Sequence, residues 1–230
     1  MSNEQPHRGQ RPTRLILVRH GESEANADKD LHETVPDYAL ELTAKGHAQA
    51  QEAGSRLAEL IQPEPGLATT VRFYVSTHKR TRQTYEEIEA VVQKRDGITW
   101  QRTYFDPRLR EQDWGHLRSA QATAKLEEER DGYGSFYYRF PNGDSCADVY
   151  DRMSLVLDTM HRDWEQLVPD NVVVVSHGMT MRVFLMRWFK ETPDEFELWR
   201  NPRNCAILLL ERQQDVKFEL KTPLERQPTV

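Results

Sequence analysis

Along this chain, short apolar runs alternate with stretches in which apolar residues recur every three or four positions. The first pattern predicts buried strands, the second helices that bury one face. Residues 14–18 predict a strand. Thr43 predicts the cap of a helix over 44–61, with Ala50, Ala53, Leu57 and Leu60 on one stripe and Pro63, Pro65 and Gly66 ending it. A second strand is expected over 71–75, a helix over 79–94, a third strand over 98–104 and a charged loop over 106–118. A helix over 120–130 presents a solvated charged face, and Gly132 and Gly134 are expected to break it. Val149, Met153, Val156, Leu157 and Met160 form a core stripe within a helix over 145–164. Residues 172–175 predict the clearest buried strand, 179–189 the helix after it, 206–210 a further strand and 216–220 a candidate to pair with it. This alternation implies an α/β fold in three layers, with a central, mostly parallel sheet between helices.

Composition narrows the picture. At 230 residues the simplest reading is one domain over 14–221, with a flexible leader over 1–13 and a flexible tail over 222–230. The net charge of −6 and mean hydropathy of −0.79 argue against a general nucleic-acid binder or an anionic-membrane binder. An anion would have to be bound in a local basic pocket. Cys146 and Cys205 stand apart from any second ligand at metal spacing, so neither a structural metal nor a disulfide framework is expected. No cofactor is called for. The leader lacks a signal-peptide core and no apolar run reaches spanning length, so a cytoplasmic location is expected.

Four stretches place reactive side chains after a strand or in a charged loop. They are Arg19-His20-Gly21, with Ser23 and Asn26 close behind; Ser76 to Thr84, with Arg80 in its centre; Leu109-Arg110-Glu111; and Ser176-His177-Gly178. Ligands of open α/β sheets bind beyond the carboxyl ends of the strands. Arginine grips phosphate through paired hydrogen bonds, histidine serves as nucleophile or proton carrier, and glycine admits close approach. Helix N-termini add affinity for anions.

Taken in order, Arg-His-Gly-Glu-Ser after a strand, Ser-x-x-x-Arg-x-x-x-Thr, Leu-x-Glu and Ser-His-Gly resemble the histidine phosphatase superfamily, phosphoglycerate-mutase-like branch. The look is closest to its plant phosphoglycerate-mutase-like members and a fungal broad-range acid phosphatase. The resemblance implies the phosphoglycerate-mutase-like αβα fold and a metal-independent phosphatase acting on small phosphomonoesters through a phosphohistidine. It implies His20 as nucleophile, Arg19, Arg80 and His177 as ligands of the phosphoryl oxygens, and Glu111 as proton donor. Ser23 and Asn26 lie in the matching loop, where the alternatives are substrate hydrogen bonds or a helix cap and a turn. The implied partner is a small phosphorylated molecule, not nucleic acid or membrane, and the oligomeric state is unreadable.

Two other functions stay open at this level: a phosphoglycerate-type mutase and a non-catalytic module that binds phosphorylated ligands. Ala25, where mutase members carry tryptophan, and the absence of their Tyr-Asp-Pro-Pro segment weaken the mutase reading. Asp144 stands where relatives often carry glutamate. Arg82, Arg139, Asp144 and Arg182 have no assigned role. His32, His47, His78, His116 and His161 match no catalytic position and are expected to be surface or satisfied residues. Specificity is expected to come from residues 28–40 and 120–141.

Overall fold

The computed structural model describes residues 11–115, 120–214 and 217–227. Its six strands form one sheet in the order β3-β2-β4-β1-β5-β6. These are β1 (Arg14–Arg19), β2 (Thr69–Val75), β3 (Ile98–Phe105), β4 (Asn171–Ser176), β5 (Ile207–Arg212) and β6 (Phe218–Leu220). The first four in that order are parallel, whereas β5 runs antiparallel to β1 and β6 antiparallel to β5. The expected mostly parallel, three-layer α/β architecture is the one observed.

The continuous apolar runs have a direct cause: each central strand supplies two cores. Leu15 and Leu17 of β1, with Val172 and Val174 of β4, face one side. There they meet α5 (Cys146–Gln166) and α6 (Gly178–Phe189) through Val149, Met153, Met160 and Phe184. Ile16, Val18, Val173 and Val175 face the other side. They meet α2 (Ala44–Leu60) and α3 (Lys79–Val92) through Leu57, Ile61, Tyr85 and Ile88. Successive side chains of a strand point to opposite faces, so a strand covered on both sides has no polar position to spare.

Caps fix where the helices begin. Thr43 Oγ1 accepts from Gly46 N at 3.0 Å at the start of α2. Ser145 and Asp148 form a reciprocal capping box at the start of α5. Three features differ from expectation. Helix α4 (Ala120–Tyr133) runs through Gly132 and ends only before Gly134, whose φ of +105° suits glycine alone. Two 3-10 turns, Lys29–Glu33 and Asp37–Ala39, and a short helix, Pro193–Glu197, were not anticipated, since single turns carry no helical periodicity.

The ends are also tied down more than expected. Of the leader, Thr13 N donates to Asp170 O at 2.8 Å and Thr13 O accepts from Arg212 N at 2.9 Å, while residues 1–10 lie outside the described residues. Of the tail, Gln227 N donates to Leu198 O and Glu225 O accepts from Arg200 N, so residues 225–227 run beside Leu198–Arg200, while Thr222 Oγ1 accepts from Leu209 N of β5; 228–230 lie outside the described residues. His116 and the end of the 106–118 loop fall outside them as well. Among the described residues no helix is long and apolar enough to cross a membrane.

Gly21, just beyond β1, backs onto Gly46 of α2. A Cβ on Gly21 would lie 2.4 Å from Gly46 O, and one on Gly46 would lie 2.1 Å from Glu22 O. The expected close approach at Gly21 is therefore to backbone. Gly46→Ala is predicted to cost about 2–3 kcal/mol through forced displacement, lowering Tm by roughly 4–10 °C. Gly132→Ala, in open space within α4, is predicted to add about 0.5–1 kcal/mol. Thermal melts of the two variants should move in opposite directions; equal melts would contradict the backbone contact.

Candidate active site

The carboxyl ends of β1, β4 and β2 lie side by side because Arg19 pairs with Ser176 and Val75 with Val175. The next residues, His20, His177 and Ser76, are thereby brought together. The peptide N–H of His20 donates to Ser176 O at 3.0 Å and that of Ser76 to Val175 O at 3.0 Å. The His20 and His177 rings meet edge to face at 5.2 Å, and His177 meets His78 in the same way at 4.9 Å. Arg19, His20, Ser23, Asn26, Arg80 and Glu111 line one cavity of about 750 Å³, together with His32, Asp37 and His78.

The tautomer of His20 follows from its neighbour. Nδ1 lies 2.7 Å from Gly21 O, and a carbonyl only accepts, so Nδ1 carries the proton and Nε2 keeps a lone pair. Burial, then the charges of Arg80 and Arg19, push the His20 pKa well below its ordinary value. His177 is pushed down by burial, then by Arg80, His20, His78 and Arg19. Both imidazoles are neutral at neutral pH. His177 Nε2 shares a 2.8 Å hydrogen bond with Ser76 Oγ, while its buried Nδ1 has no protein partner. Arg19 donates from Nη1 to Pro202 O at 2.6 Å, and its buried Nε likewise has none.

Glu111 is held from four sides. Oε1 accepts from Gln112 N, Thr180 N and Thr180 Oγ1 at 3.0–3.1 Å, and Oε2 accepts from Met179 N at 3.2 Å. Met179 and Thr180 open α6, so the carboxylate sits at the positive end of that helix. With one contact, Oε2 is the oxygen with room for a proton. Asn26 Oδ1 accepts from Ser23 N and from Asn204 Nδ2, which leaves its amide N–H groups as donors. Ser23 caps the short helix Glu24–Ala27 and is buried in the wall. Thr84 Oγ1 accepts from Gly21 N at 3.1 Å, tying α3 to the turn after β1.

Several contributors escaped the sequence reading. Asp37 grips Arg80, with Arg80 Nη1 donating to Asp37 O at 2.6 Å and Nη2 to Oδ2 at 3.1 Å. Desolvation pushes the Asp37 carboxyl up, but His78 and Arg80 outweigh it and hold the group well below the usual carboxylate range. His32 and His78 belong to the cavity wall, contrary to expectation, because the Asp37–Ala39 turn packs on α3 and brings Asp37 against both rings. Asn204 holds both Asn26 and the His20 carbonyl. Arg152, buried on α5, donates to the carbonyls of Arg108, Arg110 and Glu111 and to Asp144 Oδ2, fixing the segment that carries Glu111. Asp144 thus acts through Arg152, with Arg110 at 3.5 Å. Arg82 is exposed on α3. Arg139 pairs with Asp148 at 2.6 Å, and Arg182 lies 4.2 Å over the Phe196 ring. His47 is satisfied by Glu87, and His161 lies against Trp164.

Comparison with known proteins gives the family of the chain. The family model of the histidine phosphatase superfamily (branch 1) matches residues 15–222. The chain belongs to the histidine phosphatase superfamily. It is 42% identical over 217 residues to phosphoglycerate mutase-like protein AT74 of Arabidopsis thaliana, covering 91% of this chain and 68% of that protein. It is 28% identical to the broad-range acid phosphatase DET1 of Saccharomyces cerevisiae, covering 94% and 90%. A mycobacterial glucosyl-3-phosphoglycerate phosphatase structure superposes with a TM-score of 0.69 at 22% identity, over 93% of this chain and 99% of that one, and shows the shared fold. The family also agrees with the expected enzyme class, a phosphatase.

Two buried neutral imidazoles make stability depend on pH. The unfolded chain protonates them below about 6.5 while the folded chain resists. Stability is therefore predicted to fall as pH drops from 6.5 to 5, by up to ~1.4 kcal/mol per pH unit per histidine. Burial lowers His32 and His161 as well, so they add to the same slope. Chemical denaturation across pH 7.5–5 checks this, and His20→Gln should flatten the slope. A flat wild-type profile would contradict neutral burial.

Proposed function

We propose that this histidine phosphatase superfamily member hydrolyses small phosphomonoesters without a metal, through a phosphohistidine on His20. The observation that carries the reading is the state of His20. Its Nδ1 proton is committed to Gly21 O, its Nε2 lone pair is free, and burial beside Arg80 and Arg19 keeps the ring neutral. A neutral imidazole with one free lone pair is a nucleophile at physiological pH.

In the first step Nε2 of His20 attacks phosphorus. The P–Nε2 bond forms as the ester P–O bond breaks, and the proton on Glu111 passes to the departing oxygen, which leaves as an alcohol. In the second step Glu111 takes a proton from water as the water oxygen attacks phosphorus. The P–N bond breaks, inorganic phosphate leaves and His20 regains its lone pair. Phosphoryl transfer spreads charge over three oxygens, so positioning and electrostatic stabilisation do most of the work. Arg19 Nε and His177 Nδ1, buried without protein partners, are the donors suited to those oxygens. Asn26, with its carbonyl already engaged, adds an N–H donor.

A mutase reading draws support from the similarity to a protein named phosphoglycerate mutase-like. A mutase must keep its phosphoenzyme from water, whereas the wide cavity here carries several water-accessible carboxylates along its wall. The two readings differ in one assay, phosphate release from a panel of monoesters against isomerisation of phosphoglycerate. Hydrolysis is predicted to dominate, with His20→Ala abolishing turnover while the fold is kept and a chelator having no effect. Glu111→Gln is predicted to slow alkyl phosphates by ~10²–10⁴-fold, with a much smaller loss on p-nitrophenyl phosphate, whose leaving group needs no proton. Arg80→Ala or Arg19→Ala should cost ~3 kcal/mol on either substrate class. Rapid isomerisation with negligible phosphate release, or unchanged turnover in His20→Ala, would refute the reading.

A further inference from the structure

We propose that Asp37 is a specificity-determining gate of the phosphoryl site, its carboxylate standing on Arg80 in place of phosphoryl oxygens until a dianionic phosphate displaces it. The proposal rests on the reading of Arg80 as a phosphoryl ligand and concerns which anions that ligand accepts.

The contact has the form of ligand recognition. Arg80 is almost wholly buried. Its Nη1 lies 3.0 Å from Asp37 Oδ1, and its Nη2 donates to Oδ2 at 3.1 Å. Nη1 also donates to Asp37 O at 2.6 Å, so the guanidinium holds the carbonyl and the carboxylate of one residue, the latter by the charge-assisted contact it would offer a phosphate. His78 Nδ1 lies 3.3 Å from Oδ2, and His78 in turn touches His177. An anion thus occupies the cluster that the mechanism reserves for phosphate, and the chain itself provides it. Two anions on one guanidinium repel each other, so substrate and Asp37 compete.

The segment bearing Asp37 is suited to yield. It consists of two single 3-10 turns joined through Pro36, with Tyr38 65% exposed beside the carboxylate. Across the cavity mouth it meets α4 through Lys29 and Glu127 at 3.7 Å, an exposed pair of little energetic weight. It is anchored by the Asp37–Arg80 and Asp37–His78 contacts and, just after Ala39, by the fully buried Leu40.

Selectivity follows from charge and shape. A tethered carboxylate competes at high effective concentration. A small carboxylic acid or a phosphodiester, each a monoanion, offers Arg80 no more charge than Asp37 does. A phosphomonoester dianion is tetrahedral and doubly charged, and reaches Arg19 and His177 as well as Arg80. The gate therefore admits dianionic monoesters and turns away monoanions.

The test is calorimetric titration of the full chain with inorganic phosphate and with acetate at pH 8. Asp37→Asn is predicted to bind phosphate about tenfold tighter than wild type (~1.4 kcal/mol), and to bind acetate where wild type does not. Equal or weaker phosphate binding by Asp37→Asn overturns the gate and makes Asp37 a positioning residue for Arg80. A second measurement keeps Asp37 in place: in Tyr38→Trp, tryptophan emission should shift with phosphate occupancy. Unchanged emission at a phosphate concentration that calorimetry shows to be saturating overturns the displacement. Failure of the hydrolytic reading is separate, because it is read from monoester turnover and phosphoenzyme formation in wild type. Neither enters these binding measurements.

Discussion

The register of β1 against β4 is the constraint from which the rest of the site follows. Arg19 faces Ser176 across that ladder, and β2 continues it on the far side with Val75 against Val175. Three strand ends are thereby level, and the residue after each enters the same small volume. At the opposite end of these strands Asn171 accepts from Arg14 and donates to Thr69 and Thr70, which supports the same register. A slip of one residue would exchange Leu15 and Leu17 with Ile16 and Val18 between the core under α5 and α6 and the core under α2 and α3, so that each set would meet a space shaped for the other. Apolar packing on two faces sets the distance between the two imidazoles.

That geometry concentrates positive charge in a chain whose net charge is −6. Arg19 and Arg80 lie with three histidine rings at the strand ends, and the His20 and His177 imidazoles accommodate this by staying neutral. The guanidiniums cannot shed their protons in this way. Arg80 is met by Asp37, and Arg19 by a backbone carbonyl. Buried donors without partners are costly in a folded protein unless something else engages them. Two of them, on Arg19 and His177, stand beside His20, where the proposed reaction would use them, whereas others, on Arg72, His161, Trp164 and Arg182, belong to other parts of the fold.

Much of this was legible in the sequence because the chemistry follows strands whose apolar runs are unmistakable. His20 and His177 stand one residue beyond Arg19 and Ser176, and the helix carrying Arg80 begins at the fourth residue beyond β2. What was not legible has a shared cause. Asp37, His32 and His78 meet only because the single 3-10 turn Asp37–Ala39 packs on α3, and such turns leave no periodic trace. Asn204 reaches Asn26 across 178 positions, and Arg152 reaches Glu111 from a helix that reads as pure core stripe. Gly132 and Gly134 were both expected to break α4; glycine within a helix carries only a modest penalty, so Gly132 does not, whereas Gly134 does because the backbone there turns left-handed. The tail looked free by composition, and its backbone bonds to Leu198 and Arg200 depend on where the short helix before them ends.

The placement of Glu111 adds a last constraint. Its carboxylate accepts from Met179 N and Thr180 N, while His177 is the residue that caps the same helix. The group read as acid and the group read as phosphoryl ligand therefore share one helical turn as their frame. Arg152 holds the other end by gripping the carbonyls of Arg110 and Glu111 from α5, a helix packed on α6. The segment bearing Glu111 is irregular, yet the carboxylate moves only if α5 and α6 move with it. Chemistry on the leaving-group side is thus tied to the same core that sets the strand register. The wall carrying Asp37 is built of 3-10 turns held through Arg80, His78 and the buried Leu40, and in the proposed reading it is the part that meets the substrate first.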